Sequence, residues 1–141
     1  MINISLAYQN GVLCIYMAKD GYTIKKEYLK FKNENINSAF IAGLNKAVLL
    51  IREFINANGI PEVPVAIEMK NKAIIKWLRE RRPVKQHEFE VMEFLTDFNR
   101  LPIVYEFVYS DKPIALRFIK QMPTKERTLE LSSLDDLVKE D

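Results

Sequence analysis

A chain of 141 residues, 48% of them hydrophobic, has material for one buried core but not for two, and no Ser/Gly/Pro-rich linker divides it. Its 21 basic and 19 acidic residues leave a net charge of +2, too small to name a partner, so only the local arrangement of charge is informative. One cysteine, Cys14, excludes an intramolecular disulfide and a Cys-based zinc site, and one histidine, His87, excludes a His–His metal pair.

Cys14 alternates within an apolar run and is expected to be a buried thiol, not a nucleophile. The N-terminal string lacks the basic and long apolar regions of a signal peptide, and no run approaches the length of a membrane span. The expectation is a soluble, cytoplasmic protein without a membrane partner.

Residues 2–31 read as three strands. Gln9-Asn10-Gly11 and Lys19-Asp20-Gly21 separate them, and Asn-Gly and Asp-Gly supply the positive φ angles of tight hairpins. In the third strand, Tyr22, Ile24 and Tyr28 are expected on one side and Lys25 and Glu27 on the other. Asn37 or Ser38 is the expected cap of a long helix whose apolar face carries Phe40, Leu44, Ala47, Val48, Ile51, Phe54 and Ile55. Asn58-Gly59 ends it.

An apolar run at residues 63–67 after this helix is the pattern of a crossover to a parallel strand. Ala73, Ile74, Trp77 and Leu78 then have helical spacing, and Pro83 is the expected stop. Residues 87–100 form another amphipathic helix, with Phe89, Met92, Phe94, Leu95 and Phe98 as its apolar face. Residues 103–109 are a strand with Tyr105, Phe107 and Tyr109 on one side, expected to be buried and not to stack bases. Ser110 or Asp111 caps a last helix that would bury Ile114, Leu116, Phe118 and Ile119.

The element order β-β-β-α-β-α-α-β-α specifies an α/β (α+β mixed) domain over residues 1–122: a five-stranded mixed sheet with helices on both faces. Residues 123–141 are expected to be a mobile, acidic C-terminal tail.

Ile75-Lys76-Trp77-Leu78, a basic stretch, and Pro83-Val84-Lys85-Gln86 opening a helix resemble the corresponding segment of bacterial-type ribonuclease HI. With the element order, they make the domain similar to the ribonuclease H-like fold. The resemblance implies a chemistry in which several carboxylates hold two magnesium ions. It also implies acids in the first strand, in the first helix, at the end of the fourth strand and in the last helix. The first strand here, Ile-Asn-Ile-Ser-Leu-Ala-Tyr, has none, and the main helix has Ala39, Phe40, Ala42, Gly43 and Ala47 where a Glu is wanted. Only Glu68 and Asp111 stand near the implied positions, as weak catalytic candidates. The expectation is a catalytically inactive domain with no metal site and no cofactor, magnesium entering only if the carboxylates are relocated.

The basic cluster is the stronger signal. Lys72, Lys76, Arg79, Arg81, Arg82 and Lys85 can form a stripe along a helix and through a turn, able to displace counterions from a phosphate backbone. The resemblance implies that this region contacts a nucleic-acid duplex, RNA or an RNA–DNA hybrid. The bland reading is a solvated helix end whose cations suit the C-terminal dipole. His87 is expected to be an exposed residue at a helix start. The alternative function is a protein-interaction module in which the tail residues Leu131, Leu134, Asp135, Asp136 and Leu137 recruit a partner.

Overall fold

A computed structural model describes residues 1–32, 35–81 and 87–121. The expected tail, together with Arg82, Pro83 and Lys85, lies outside the described residues. Three strands come first: β1 (Ile2–Gln9), β2 (Val12–Lys19) and β3 (Tyr22–Lys30). Asn10 and Gly11 (φ 52° and 80°) and Asp20 and Gly21 (φ 51° and 82°) make the two hairpin turns, as their residue types demand. Then follow α1 (Ile36–Asn58), β4 (Val65–Met69), α2 (Lys72–Glu80), α3 (Glu88–Asn99), β5 (Tyr105–Tyr109) and α4 (Ile114–Gln121).

The five strands form one sheet in the order β3-β2-β1-β4-β5. β1 and β2, and β2 and β3, pair antiparallel, whereas β4 lies parallel to both β1 and β5. The long α1 supplies the crossover that a parallel β1–β4 pair requires. The expected element order and mixed sheet are therefore what the chain adopts.

Alternation along the strands divides the core between two faces. Ile2, Ile4 and Leu6 of β1 and Val65, Ile67 and Met69 of β4 join the side chains of α1, α2 and α3 in the larger cluster. On the opposite face Ala7, Cys14, Tyr16 and Tyr28 pack with Ala115 and Ile119 of α4. Cys14 is fully buried, as its position in an apolar run implies. α1 lies close upon the sheet because Gly43 has no side chain: a Cβ there would stand 2.2 Å from Leu13 Cδ2.

Several local expectations are corrected. α1 is capped by Asn35, whose Oδ1 accepts from Asn37 N–H at 2.7 Å, and not by Asn37 or Ser38. α2 ends at Glu80, where Arg81 turns left-handed (φ 56°) and its N–H reaches Trp77 O. A bulge passes over Ile24, so Met17 pairs with Lys25 and Ala18 with Thr23. That extra residue puts Thr23, whose Oγ1 lies 2.8 Å from the Tyr16 hydroxyl, on the side of Tyr28, and moves Tyr22 to the other.

In α3 the buried residues are Val91, Phe94, Leu95 and Phe98, while Phe89 is 78% exposed and Met92 is also exposed. Packing on α1 and α2 selects this face over the neighbouring one. In α4 only Ala115 and Ile119 are buried; Leu116 and Phe118 are half-buried and Ile114 is exposed. A one-sided contact with β1 and β2 covers too little of this short helix to bury more.

Candidate nucleic-acid interface and the adjoining carboxylates

Parallel pairing brings the carboxyl ends of β1 and β4 to one end of the sheet, where α2 also begins. Ser5 and Glu68 are direct partners across that pair. α4 starts over them: Ile114 N–H donates to Glu68 Oε1 at 2.8 Å, and Ala115 N–H donates to Ser5 Oγ at 2.9 Å. Two amides that a helix start leaves without intrahelical partners are thus satisfied by two strands. This corrects the expectation that Ser110 or Asp111 caps the helix.

Asp111 has other partners. Lys70, just past the end of β4, places Nζ 3.5 Å from its Oδ1, and the Tyr109 hydroxyl donates to it at 3.2 Å. Partial burial and this neighbouring carboxylate hold the Tyr109 phenol above its ordinary pKa. Lys72 Nζ lies 5.2 Å from the centre of the same ring, within cation–π range. Among the described residues, no three His, Cys, Asp or Glu side chains converge to hold a metal ion.

Beside these groups stands a pair of amides whose contact, across 34 residues of chain, no local sequence signal announces. Asn71 caps α2 through Oδ1, which accepts from Ile74 N–H at 3.0 Å. Its Nδ2 donates to Asn37 Oδ1 at 2.9 Å and ties the start of α1 to the start of α2. Asn71 lies two residues past the end of β4, so its reach to Asn37 depends on the chain crossing over, not on spacing.

The helix α2 buries Ile74, Ile75, Trp77 and Leu78 and turns Lys72, Lys76 and Arg79 to solvent at intervals of four and three. The three cations make the expected stripe, and exposed Arg81 continues it. They are not equivalent. Arg79 Nη2 donates to Phe107 O at 2.6 Å, so one edge of its guanidinium is engaged with an edge strand, β5. Lys76 and Arg81 have no ion-pair partner among the described residues. Arg82 and Lys85 fall outside the described residues, as do Leu131, Leu134, Asp135, Asp136 and Leu137 of the tail.

His87 is corrected from exposed to buried. It is 4% exposed and stacks on Trp77 with ring centres 5.6 Å apart, its Nδ1 3.5 Å from Glu90 Oε2. Trp77 offers an apolar plane on α2 that covers the imidazole where α3 returns. Phe107 is buried, and Tyr105 and Tyr109 pack half-buried against the core, with Phe98 edge-on to Tyr105. No helix among the described residues is long and apolar enough to cross a membrane.

No protein-family model and no curated sequence matches the chain. Solved structures do. The crystal structure of LC11-RNase H1 in complex with an RNA/DNA hybrid superposes with a TM-score of 0.66 at 13% identity, over 78% of this chain and 85% of that one. A structure of LC11-RNase H1, isolated from compost by a metagenomic approach, gives 0.64 at 15% identity, over 77% and 83%. The RNase H1 of the halophilic archaeon Halobacterium salinarum NRC-1 gives 0.56 at 12% identity, over 77% and 84%. Likeness at this level of identity establishes architecture, and the architecture agrees with the strand order and pairing described above. The chain has a ribonuclease H-like fold.

Proposed function

We propose that this chain is a non-catalytic ribonuclease H-like domain that binds nucleic acid, RNA or an RNA–DNA hybrid, through the basic side of α2. The observation that carries the reading is the exposed stripe of Lys72, Lys76 and Arg79, prolonged by Arg81. Cations at regular spacing along one helix can follow a phosphate backbone and release its counterions. The hybrid held by LC11-RNase H1, a protein of the same fold, supports the choice of ligand.

The non-catalytic part rests on the chemistry of the donor set. Magnesium demands near-octahedral hard oxygen ligands, and a pair of ions demands several carboxylates. Here one oxygen of Glu68 is committed to an amide and Asp111 faces an ammonium group. These residues do not fit two magnesium ions.

The test is equilibrium binding of RNA, DNA and hybrid duplexes over a salt series. Affinity is expected to fall steeply with salt. Each lost phosphate contact lowers the magnitude of the log–log slope by roughly 0.9 on duplex DNA, so Lys72→Ala/Lys76→Ala is expected to reduce it by about two. Unchanged binding in that variant and in Arg81→Glu/Arg82→Glu would remove the site. Magnesium-dependent cleavage of a hybrid, lost on Glu68→Gln, would overturn the non-catalytic half.

A further inference from the structure

Glu68 and Asp111 are the two carboxylates nearest the positions where the resemblance implies metal ligands, yet each has a partner of another kind. Glu68 lies beside Ser5 across the parallel β1–β4 pair, and both side chains reach the first amides of α4. Ser5 is 1% exposed, so its hydroxyl has essentially no access to water as an alternative partner. A carboxylate at a helix N-terminus also opposes the positive end of the helix dipole. α4 is the one helix among the described residues packed on its face of the sheet, through Ala115 and Ile119. Its attachment therefore depends strongly on how its first turn is held. Asp111, three residues before that turn, is neutralised by Lys70 at the end of β4. The two contacts together link β4 to the loop and to the helix that follow β5.

We infer that Glu68 and Ser5 form a structural clasp for the start of α4, with Lys70 as the standing counter-ion of Asp111, so that this end of the sheet is held without divalent metal. The inference rests on the non-catalytic part of the proposed function and is independent of the nucleic-acid part. It makes a prediction of sign. Carboxylates gathered to hold a metal repel one another, so neutralising one stabilises the metal-free protein, and added metal stabilises the wild type by mass action. A clasp differs on both counts: neutralising Glu68 destabilises the protein, and added metal leaves its stability unchanged.

The experiment is thermal unfolding of the full chain with EDTA, magnesium or manganese, for wild type, Glu68→Gln and Glu68→Ala, with amide exchange followed at Ile114 and Ala115. Glu68→Ala is expected to lower Tm by several degrees and to speed exchange at Ile114. Glu68→Gln keeps an acceptor oxygen and is expected to lose less in both readings. Wild-type Tm is expected to be the same with either metal as with EDTA. A rise in Tm on either substitution would overturn the inference. So would manganese stabilisation of the wild type that Glu68→Gln abolishes. If Glu68→Ala does not fold, the Gln variant and its local exchange decide the matter. None of these outcomes alters the salt slope of binding through α2, so the two readings fail separately.

Discussion

Arg79 belongs to the basic stripe, yet the geometry gives it a second task that Lys76 lacks, and the two can be separated by substitution. β5 is an edge strand of the sheet, and the Phe107 carbonyl on it accepts from Arg79 Nη2 at 2.6 Å. A hydrogen bond from a charged group contributes roughly 1.5–3 kcal/mol where water is excluded. Arg79 is exposed overall, so the lower part of that range applies, and the freed carbonyl can be rehydrated in its absence. About 1–2 kcal/mol is the expected loss for Arg79→Ala, or roughly 3–10 °C in Tm for a domain of this size. Lys76→Ala removes an exposed cation with no ion-pair partner among the described residues and is expected to change stability by less than about 0.5 kcal/mol. Arg79→Lys keeps the charge without the guanidinium's forked donor geometry. It is expected to lose much of that about 1–2 kcal/mol while retaining the salt slope of nucleic-acid binding. Denaturant unfolding and salt-series binding on the same three variants provide both readings. Equal stability of Arg79→Ala and wild type, or equal destabilisation by Lys76→Ala, would refute the argument.

Two further predictions follow from corrected or newly found contacts. His87→Ala removes a buried ring from the face of Trp77 and is expected to destabilise by roughly 1–3 kcal/mol with a change in tryptophan fluorescence; an effect below about 0.5 kcal/mol would mean that the imidazole is exposed after all. Tyr109 titrates above the ordinary phenol value of 10.0 because partial burial and Asp111 favour its neutral form. Its contribution to stability is complete below pH 10.0 and declines as pH rises through the folded-state pKa. Ultraviolet titration should show a late-ionising tyrosine that disappears in Tyr109→Phe and ionises earlier in Asp111→Asn; an unchanged titration in Asp111→Asn would contradict the contact.

Much of this protein was legible before any fold was known, because the signals concerned are local. Asn10-Gly11 and Asp20-Gly21 take left-handed backbone angles whatever surrounds them, and Gly59 ends α1 for the same reason. The spacing of Phe40, Leu44, Val48 and Ile51 needs only helical periodicity to become one buried face. The element order followed from such signals, and with it the mixed sheet. The basic stripe on α2 was equally visible, since residues 72, 76 and 79 share a side of any helix.

Periodicity was less decisive where it admitted two answers. In α3 both Phe89 with Met92 and Val91 with Phe94 fit helical spacing, and contact with α1 and α2 decides between them. In β3 a single bulged residue reverses the side on which Tyr22 lies, and alternation does not announce a bulge.

What determined the character of the candidate site was tertiary. Glu68 and Ser5 are 46 and 110 residues from the amides they accept from, and the pairing of β1 with β4 sets them together. His87 is buried by a tryptophan on another helix, and Arg79 finds its carbonyl on a strand 28 residues away. The amino-acid sequence by itself determined which backbone conformations and periodic faces were available. Only the tertiary structure decided what each remaining polar group holds, because a hydrogen bond depends on a distance, and distances across the chain exist only once the sheet has formed.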